Sequence, residues 1–418
     1  MSFCPACGAP MADPHGACEA CLAASPLEGA PAEEAQADQE VGSLAAPPLD
    51  QPAPPRGPDL RAQRARLTTG LLMGGVVLAA GLLFGGPMSA VALAGLEVAP
   101  ILLVGVLAHL GMGVTWARVL SWLGTATVVL VAALAIAGVA VSAYAPASAH
   151  EALLNPILAG LSIALGLTAL VVTPVGTTLA RRLGLDPDRP VHRQALFLCV
   201  GLTLLCLVPM ISTGGRALLI DFIQSAQDLD LHESSLDLLL PLLWILPGGF
   251  LLVGYGINRD GRSARERLGL TWPGLAGLGR GAAVGLALVP CALLLSPLLE
   301  WATGQIGLPV GTSEEVEKLF DIQSLTLGSA VALALAAGIG EELAVRGVLQ
   351  PRLGLILSNS FFAALHALQY TVDGVLLVFA LGLAFGLLRR RTSTAVSMVA
   401  HATYDFALLA LLLLGADL

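Results

Sequence analysis

Six ionisable side chains stand within three apolar stretches near the C-terminal end of the sequence. An ionisable group at bilayer depth costs about 2.5–3.5 kcal/mol on insertion scales, so such groups are rare and usually face a polar cavity. Their presence on three neighbouring apolar stretches therefore indicates an active site inside a membrane. In chain order they are Glu341, Glu342, Arg346, His366, His401 and Asp405.

The spacing of these residues predicts which of them share a helix face. Glu342 and Arg346 are four residues apart, so on a helix they lie on one face and can neutralise each other. Glu341 is rotated by about 100° from Glu342 and is left to face elsewhere. His401 and Asp405 are also about one helical turn apart. The side chains that we expect to converge on one point are Glu341, His366, His401 and Asp405.

These residue types can hydrolyse an amide by two routes. In the first, a carboxylate beside an imidazole takes a proton from water, and a second imidazole stabilises the oxyanion of a tetrahedral intermediate. In the second, histidines and carboxylates hold a zinc ion whose bound water attacks the carbonyl carbon. The pattern includes no Ser or Cys nucleophile beside a histidine, which disfavours acyl-enzyme chemistry.

Two other classes of protein also place polar networks inside a membrane: a catalytically silent scaffold or partner-binding protein, and a transporter. Glu341 favours an enzyme over a scaffold, because the Arg346 pairing leaves this glutamate unneutralised and a purely structural network would neutralise its charges. A transporter is expected to repeat its broken or charged segments internally. The first seven apolar segments of this chain contain no such repeat.

The composition indicates a polytopic membrane protein. Hydrophobic residues make up 56% of the 418 residues and charged residues only 12%, whereas soluble domains carry about 25% charged residues. A basic surface for nucleic acid is excluded, since the sequence has one lysine, Lys318, and its arginines cluster at the ends of apolar segments.

Eleven apolar segments are each about long enough to cross a hydrocarbon core of about 30 Å at 1.5 Å per residue. Because lipid offers no hydrogen-bond partner for backbone N–H and C=O groups, we expect helices, and hence an all-α membrane protein. The expected spans are residues 67–86, 88–110, 119–144, 152–174, 194–212, 236–256, 277–299, 326–349, 354–369, 373–388 and 393–415.

The arginines predict the orientation of these spans. With eleven spans, the arginines before span one and after spans two, four, six, eight and ten all fall on one side. Arg346 and Arg352, which flank the turn after span eight, fall on the same side. Positive residues favour the cytoplasmic side. The sequence therefore predicts a multi-pass protein of the cell (inner) membrane with a cytoplasmic N-terminus.

The N-terminal residues 1–24 carry two C-x-x-C pairs, formed by Cys4 with Cys7 and by Cys18 with Cys21. Two such pairs match a structural zinc site with four thiolate ligands, and two disulfides or vestigial thiols are the alternatives. We expect a small cytosolic zinc ribbon that could dock a cytosolic partner. Residues 25–66 are expected to form a disordered linker rich in Pro, Ala and acidic residues, ending in a basic juxtamembrane segment.

The motifs E-E-x-x-x-R, F-x-x-x-H and H-x-x-x-[N/D], in this order on C-terminal helices, resemble those of the CPBP family of CAAX prenyl proteases and bacteriocin-processing (Abi) enzymes. The resemblance covers roughly residues 275–415. It implies that residues 275–418 are the core of an intramembrane endopeptidase acting on a membrane-associated protein or peptide. The helices of residues 67–274 lie outside it, and the sequence assigns them no role.

The resemblance also implies roles for the six residues. Glu341 would activate water together with His366, Glu342 would pair with Arg346, and His401 and Asp405 would line the oxyanion side. Many relatives carry asparagine at the last position. An ionised Asp405 cannot donate to an oxyanion, so it would be protonated, bonded to His401, or a metal ligand. Both a metal-free glutamate mechanism and a metalloprotease remain open, and the candidate ligands of a catalytic metal are Glu341, His366 and His401.

Overall fold

The computed structural model describes residues 2–3, 10–11, 68, 70–79, 81, 83, 87–144, 174–212, 214–217, 237–312 and 325–415. The chain divides into two units, Met1–Leu49 and Asp50–Leu418. In the first unit, strands β1 (Ser2–Phe3) and β2 (Pro10–Met11) pair antiparallel. The zinc ribbon cysteines and the linker at residues 25–66 lie outside the described residues.

The second unit is helical, which confirms the expected all-α fold. Two short 3₁₀ turns, Asp237–Leu239 and His366–Leu368, and a π-helical segment, Leu343–Leu349, accompany the α-helices. The α-helices are α1 (Gly70–Ala79), α2 (Pro87–Leu110), α3 (Thr115–Tyr144), α4 (Pro174–Arg182), α5 (Pro190–Ser212), α6 (Leu242–Leu252), α7 (Gly261–Leu268), α8 (Gly274–Gln305), α9 (Leu327–Glu342), α10 (Gln350–Leu365), α11 (Val372–Arg391) and α12 (Thr394–Leu413).

Within the described residues, seven helical stretches are long and apolar enough to cross a membrane, so the chain is a multi-pass membrane protein. The expected span at 152–174 lies outside the described residues except for its last position, and the span at 67–86 is described only in part. The seven stretches are Ser89–Leu110, Thr115–Ile136, Pro190–Ile211, Gly274–Gln305, Leu327–Leu368, Val372–Arg391 and Thr394–Leu413.

The sixth expected span, residues 236–256, is shorter than the sequence predicts. Its α-helix, α6, has only 11 residues, or about 16 Å at 1.5 Å per residue. The chain then turns at Gly254 and Gly256, whose φ angles of 88° and 75° lie in the left-handed region that a helix cannot continue through. The polar helix α7 follows, capped by Asp260 at its start and Gly269 at its end.

The eighth and ninth expected spans follow one another through the π-helical segment, and the helix breaks at Gly354 (φ 78°, ψ 175°). Pro351 has no N–H to donate to the carbonyl four residues earlier, that of Gly347. Arg267 of α7 supplies that donor, with Nη1 at 3.0 Å from Gly347 O and Nη2 at 3.4 Å from Val348 O. A side chain from outside the span therefore stabilises the π-helical segment that carries Arg346.

Two arginines that contribute to the predicted orientation are not surface charges. Arg346 is 1% exposed and Arg352 is 4% exposed. Their burial gives them packing and bonding roles that are independent of the positive-inside pattern. The orientation prediction therefore depends on the other arginines, such as those at the end of α11, Arg389 to Arg391.

Helix α12 packs between α8 and α9, and glycines bring the backbones close together. A Cβ atom on Gly281 of α8 would lie 2.8 Å from the carbonyl oxygen of Val396, and one on Gly338 of α9 would lie 2.6 Å from the amide nitrogen of Ala402. Small residues at helix interfaces allow this close approach in membranes. The close packing of α9 on α12 places Glu341 and Glu342 beside His401.

Candidate active site

Glu342 is a fully buried carboxylate that three side chains surround. Its Oε1 lies 3.1 Å from Arg346 Nη1 and 3.1 Å from His401 Nδ1. Its Oε2 accepts a hydrogen bond of 2.5 Å from Ser397 Oγ. A buried charge is stable only when it is paired and hydrogen-bonded. The carboxylate of Glu342 therefore has a structural role in this network.

The guanidinium of Arg346 is held by aromatic rings and by a backbone carbonyl as well as by Glu342. Its central carbon lies 4.5 Å from the ring centroid of Phe362 and 6.0 Å from that of Phe385. Nη2 donates to the carbonyl oxygen of Gly382 over 2.9 Å. These contacts fix Arg346 between α10 and α11 and turn its charge towards Glu342.

The imidazole of His401 has a carboxylate at each of its nitrogens. Nδ1 donates to Glu342, while Nε2 lies 3.4 Å from Asp405 Oδ2 and 3.9 Å from Glu341 Oε2. The ring stacks on Phe385 at 4.6 Å with an interplanar angle of 18°. Because ionised carboxylates only accept hydrogen bonds, this arrangement favours an N–H group on both ring nitrogens.

Glu341 differs from Glu342 in exposure, although the two are adjacent in sequence. The side chain of Glu341 is 38% exposed, compared with 0% for Glu342. Asp405, one helical turn beyond His401, is 23% exposed. Glu341 and Asp405 therefore line the accessible side of the site, and Glu342 lies behind it.

His366 lies in the 3₁₀ turn that follows α10. Its Nδ1 lies 3.0 Å from the carbonyl oxygen of Phe362, so Nδ1–H is the donor, and in the neutral ring Nε2 is then an acceptor. The ring packs edge-on against Phe362 at 4.9 Å, and Phe362 packs edge-on against His401 at 6.3 Å. Phe362 thus links the two histidines within one cluster of rings.

The candidate metal ligands are not assembled as a ligand set in this structure. Among the described residues, no group of three or more His, Cys, Asp or Glu side chains is arranged to hold a metal ion. One nitrogen of His401 is already bonded to Glu342, and the other faces Asp405 and Glu341.

Ser397 belongs to this site, although the motifs do not include it. The residue is fully buried, and its Oγ lies 2.5 Å from Glu342 Oε2 and 3.1 Å from the carbonyl oxygen of Phe385. It precedes His401 by one helical turn on α12. That spacing is the signal in the sequence that could have indicated it, because residues four apart share a helix face.

Residues 323–407 match the family model described as type II CAAX prenyl endopeptidase Rce1-like. This range contains all six motif residues and Ser397, and the match confirms the resemblance to CAAX prenyl proteases. No curated protein and no solved structure matches the chain. Residues 323–407 of this multi-pass membrane protein therefore form a domain of the Rce1-like type II CAAX prenyl endopeptidase family.

Proposed function

We propose that the protein is an intramembrane endopeptidase that hydrolyses a peptide bond of a membrane-associated protein or peptide. The observation that carries the proposal is the contrast between two adjacent glutamates. Glu342 is buried and neutralised by Arg346, while Glu341 is accessible and lies 3.9 Å from Nε2 of His401. A partly exposed carboxylate beside an imidazole, on an apolar helix that is long enough to cross a membrane, is suited to activate water. The family match supports the same reaction.

Glu341 is the base in this proposal, and His366 helps to hold the water. In the neutral ring of His366, Nε2 is an acceptor because Nδ1 donates to the Phe362 carbonyl. A water molecule can then donate one hydrogen to His366 Nε2 and the other to Glu341. Glu341 removes a proton as the water oxygen bonds to the carbonyl carbon of the scissile amide. The electrons of the C=O double bond move to its oxygen, which becomes the oxyanion.

The oxyanion is stabilised by the N–H group at Nε2 of His401. Glu342 orients the ring through Nδ1, and stacking on Phe385 fixes its plane. Asp405 lies beside the same Nε2 atom and balances the charge of a doubly protonated ring. When the intermediate collapses, the C–N bond breaks and Glu341 returns its proton to the leaving amine. Each of these steps uses a side chain of the described site.

The first experiment compares the purified wild type with Glu341→Gln, which keeps the shape of the side chain but removes the base. Both are added to membranes prepared from cells that lack the protein, and new polypeptide ends are counted by mass spectrometry. Glu300→Gln is the matched control, because Glu300 is also on an apolar helix, where it accepts a hydrogen bond from Ser296. We expect new ends with the wild type and the control and none with Glu341→Gln. Identical ends with all three proteins would refute the proposal.

A defined probe tests the substrate class. An internally quenched peptide that ends in a farnesylated CAAX sequence is compared with the same peptide lacking the isoprenoid. Cleavage of the prenylated peptide alone, dependent on Glu341, would identify a prenyl endopeptidase. Equal cleavage of both peptides would indicate that the site recognises the polypeptide and not the isoprenoid.

We infer that the protease core is residues 275–418 and that the N-terminus is cytoplasmic. The close packing of α8 on α12 supports including α8 in the core, although the family match begins at residue 323.

The arginines at the ends of α4 and α11 support the cytoplasmic orientation of the N-terminus. With eleven spans, a reporter that works only in the cytosol should be inactive when it is fused after Leu418. An active reporter there would contradict the odd number of spans.

A further inference from the structure

Tyr370 continues a series of aromatic rings that begins beside Arg346. Phe362, His366 and Tyr370 are spaced four residues apart, and each ring contacts the next. The rings of His366 and Tyr370 are stacked, with centroids 6.0 Å apart and an interplanar angle of 4°. The backbone N–H of Tyr370 donates to the carbonyl oxygen of His366 over 2.9 Å. The position of the phenol ring is therefore tied to that of the imidazole.

The turn that carries Tyr370 is tightly packed. A Cβ atom on Gly374, in the first turn of α11, would lie 2.8 Å from Cβ of Tyr370. The ring also packs against the cluster that includes Ala363, Ala367 and Val375. Both contacts restrict the side chain, so the hydroxyl group is held in place before any substrate binds.

Among the residues that the structure describes, none is hydrogen-bonded to the hydroxyl group of Tyr370. Burial, and then the charges of Asp405 and Glu341, raise the pKa of this phenol above its usual range. The group therefore stays protonated and remains a neutral donor close to two carboxylates of the site. The hydroxyl is therefore available to donate a hydrogen bond to a group that arrives with the substrate.

The proposed reaction needs such a donor. An ionised Asp405 can only accept hydrogen bonds, and Glu341 likewise offers no N–H or O–H while it acts as the base. Of Glu341, His401 and Asp405, only His401 can then donate to an oxyanion. Sites that stabilise an oxyanion commonly use two donors, and removing one lowers kcat about 10²–10³-fold.

We propose that the Tyr370 hydroxyl is a second oxyanion donor, in addition to the N–H group of His401, in a site whose Asp405 provides none. This assignment rests on the proposed function, since the hydroxyl would donate to the oxygen of the tetrahedral intermediate. Tyr370 is thus a catalytic residue, and the stack on His366 holds it in place.

The test compares Tyr370→Phe with the wild type, using the membranes described above and the quenched farnesylated peptide as probes. Phenylalanine keeps the ring, its stacking and its packing, and removes only the hydroxyl. Tyr255→Phe is the matched control, because Tyr255 lies in the turn after α6 and packs against Phe250. We expect the cleavage rate of Tyr370→Phe to fall at least ten-fold through kcat, with unchanged KM and thermal stability. The control should remain within two-fold of the wild type.

A second variant separates donation from a structural role. The substitution Asp405→Asn would supply an N–H donor. In that background, Tyr370→Phe should therefore lower the cleavage rate much less than it does in the wild type. An equal loss in both backgrounds, or a Tyr370→Phe rate within two-fold of the wild type, would overturn the assignment. If Glu341→Gln and the wild type produce the same ends, the proposed function itself fails. If cleavage depends on Glu341 but not on Tyr370, only the assignment of Tyr370 fails.

Discussion

Ser397 donates a hydrogen bond of 2.5 Å to Glu342 and thereby fastens α12 to the end of α9. The same carboxylate receives the Nδ1–H of His401 one turn further along α12. Glu342 therefore sets the position of His401 relative to Glu341, because two contacts from one helix converge on one buried carboxylate. Its role is broader than the pairing with Arg346 that the spacing predicts.

Ser397→Ala tests whether the hydrogen bond to Glu342 holds α12 against α9. The substitution removes the donor to a buried, charged acceptor, so we expect a loss of about 1.5–3 kcal/mol in the free energy of unfolding in detergent micelles. The cleavage rate should fall as well, because His401 loses part of its support. Ser296→Ala is the control, since Ser296 also donates to a glutamate, Glu300, but in a less buried position. An equal effect of both substitutions would contradict the special role of Ser397.

The two glutamates should respond differently to substitution. Glu342→Ala leaves Arg346 buried without its carboxylate, which costs about 3–5 kcal/mol of stability for a buried pair. Glu341→Gln should leave stability near that of the wild type, because this side chain is partly exposed. Thermal unfolding and cleavage measured on the same preparations separate the two effects. Normal stability of Glu342→Gln together with full activity of Glu341→Gln would require the two roles to be exchanged.

The sequence predicts much of this site because its residues are close along the helices. The four-residue spacing of Glu342 and Arg346 is sufficient to separate Glu342 from Glu341. The bonds from Ser397 and His401 to Glu342 join residues 55 and 59 positions apart. They depend on the packing of α9 against α12, which local spacing does not contain.

The fold shows the same division between local and long-range information. Among the described residues, apolar length predicts the seven helical stretches that are long enough to cross a membrane, and the break at Gly354 agrees with the expected start of span nine. Length alone does not predict the short α6, because the left-handed glycines in the turn after it end an apolar run that looks continuous. The π-helical segment also escapes prediction, since its stabilising donor, Arg267, comes from a different part of the chain.

Gly382→Ala tests the close approach of α11 to the site. A Cβ atom at this position would overlap Oδ1 of Asn359 and lie 3.0 Å from Nη2 of Arg346. We expect a cost of about 1–3 kcal/mol from overpacking, and a lower cleavage rate because Arg346 is displaced. Gly279→Ala is the control, since nothing lies within 4 Å of a Cβ atom there. In a helix that change should be neutral or slightly stabilising.

Arg267→Gln tests the support of the π-helical segment. The substitution weakens the two bonds to the carbonyl oxygens of Gly347 and Val348, so we expect a loss of about 1–3 kcal/mol. Arg262→Gln on the same helix is the control. Its partner is Glu266 in an exposed ion pair, and such pairs contribute little. Equal melting temperatures for both variants would show that the π-helical segment does not need Arg267.

Zinc analysis of the full-length protein tests the ribbon and the catalytic mechanism together. The two C-x-x-C pairs predict one zinc ion per chain, held by Cys4, Cys7, Cys18 and Cys21. We expect the double variant Cys4→Ser with Cys7→Ser to lose this zinc and to retain cleavage activity, because the proposed reaction uses side chains of the membrane domain. Cys291→Ser, which changes a free cysteine of α8, should keep the zinc. A zinc ion that remains in the double variant and is needed for cleavage would instead place a metal at the site of Glu341 and His401.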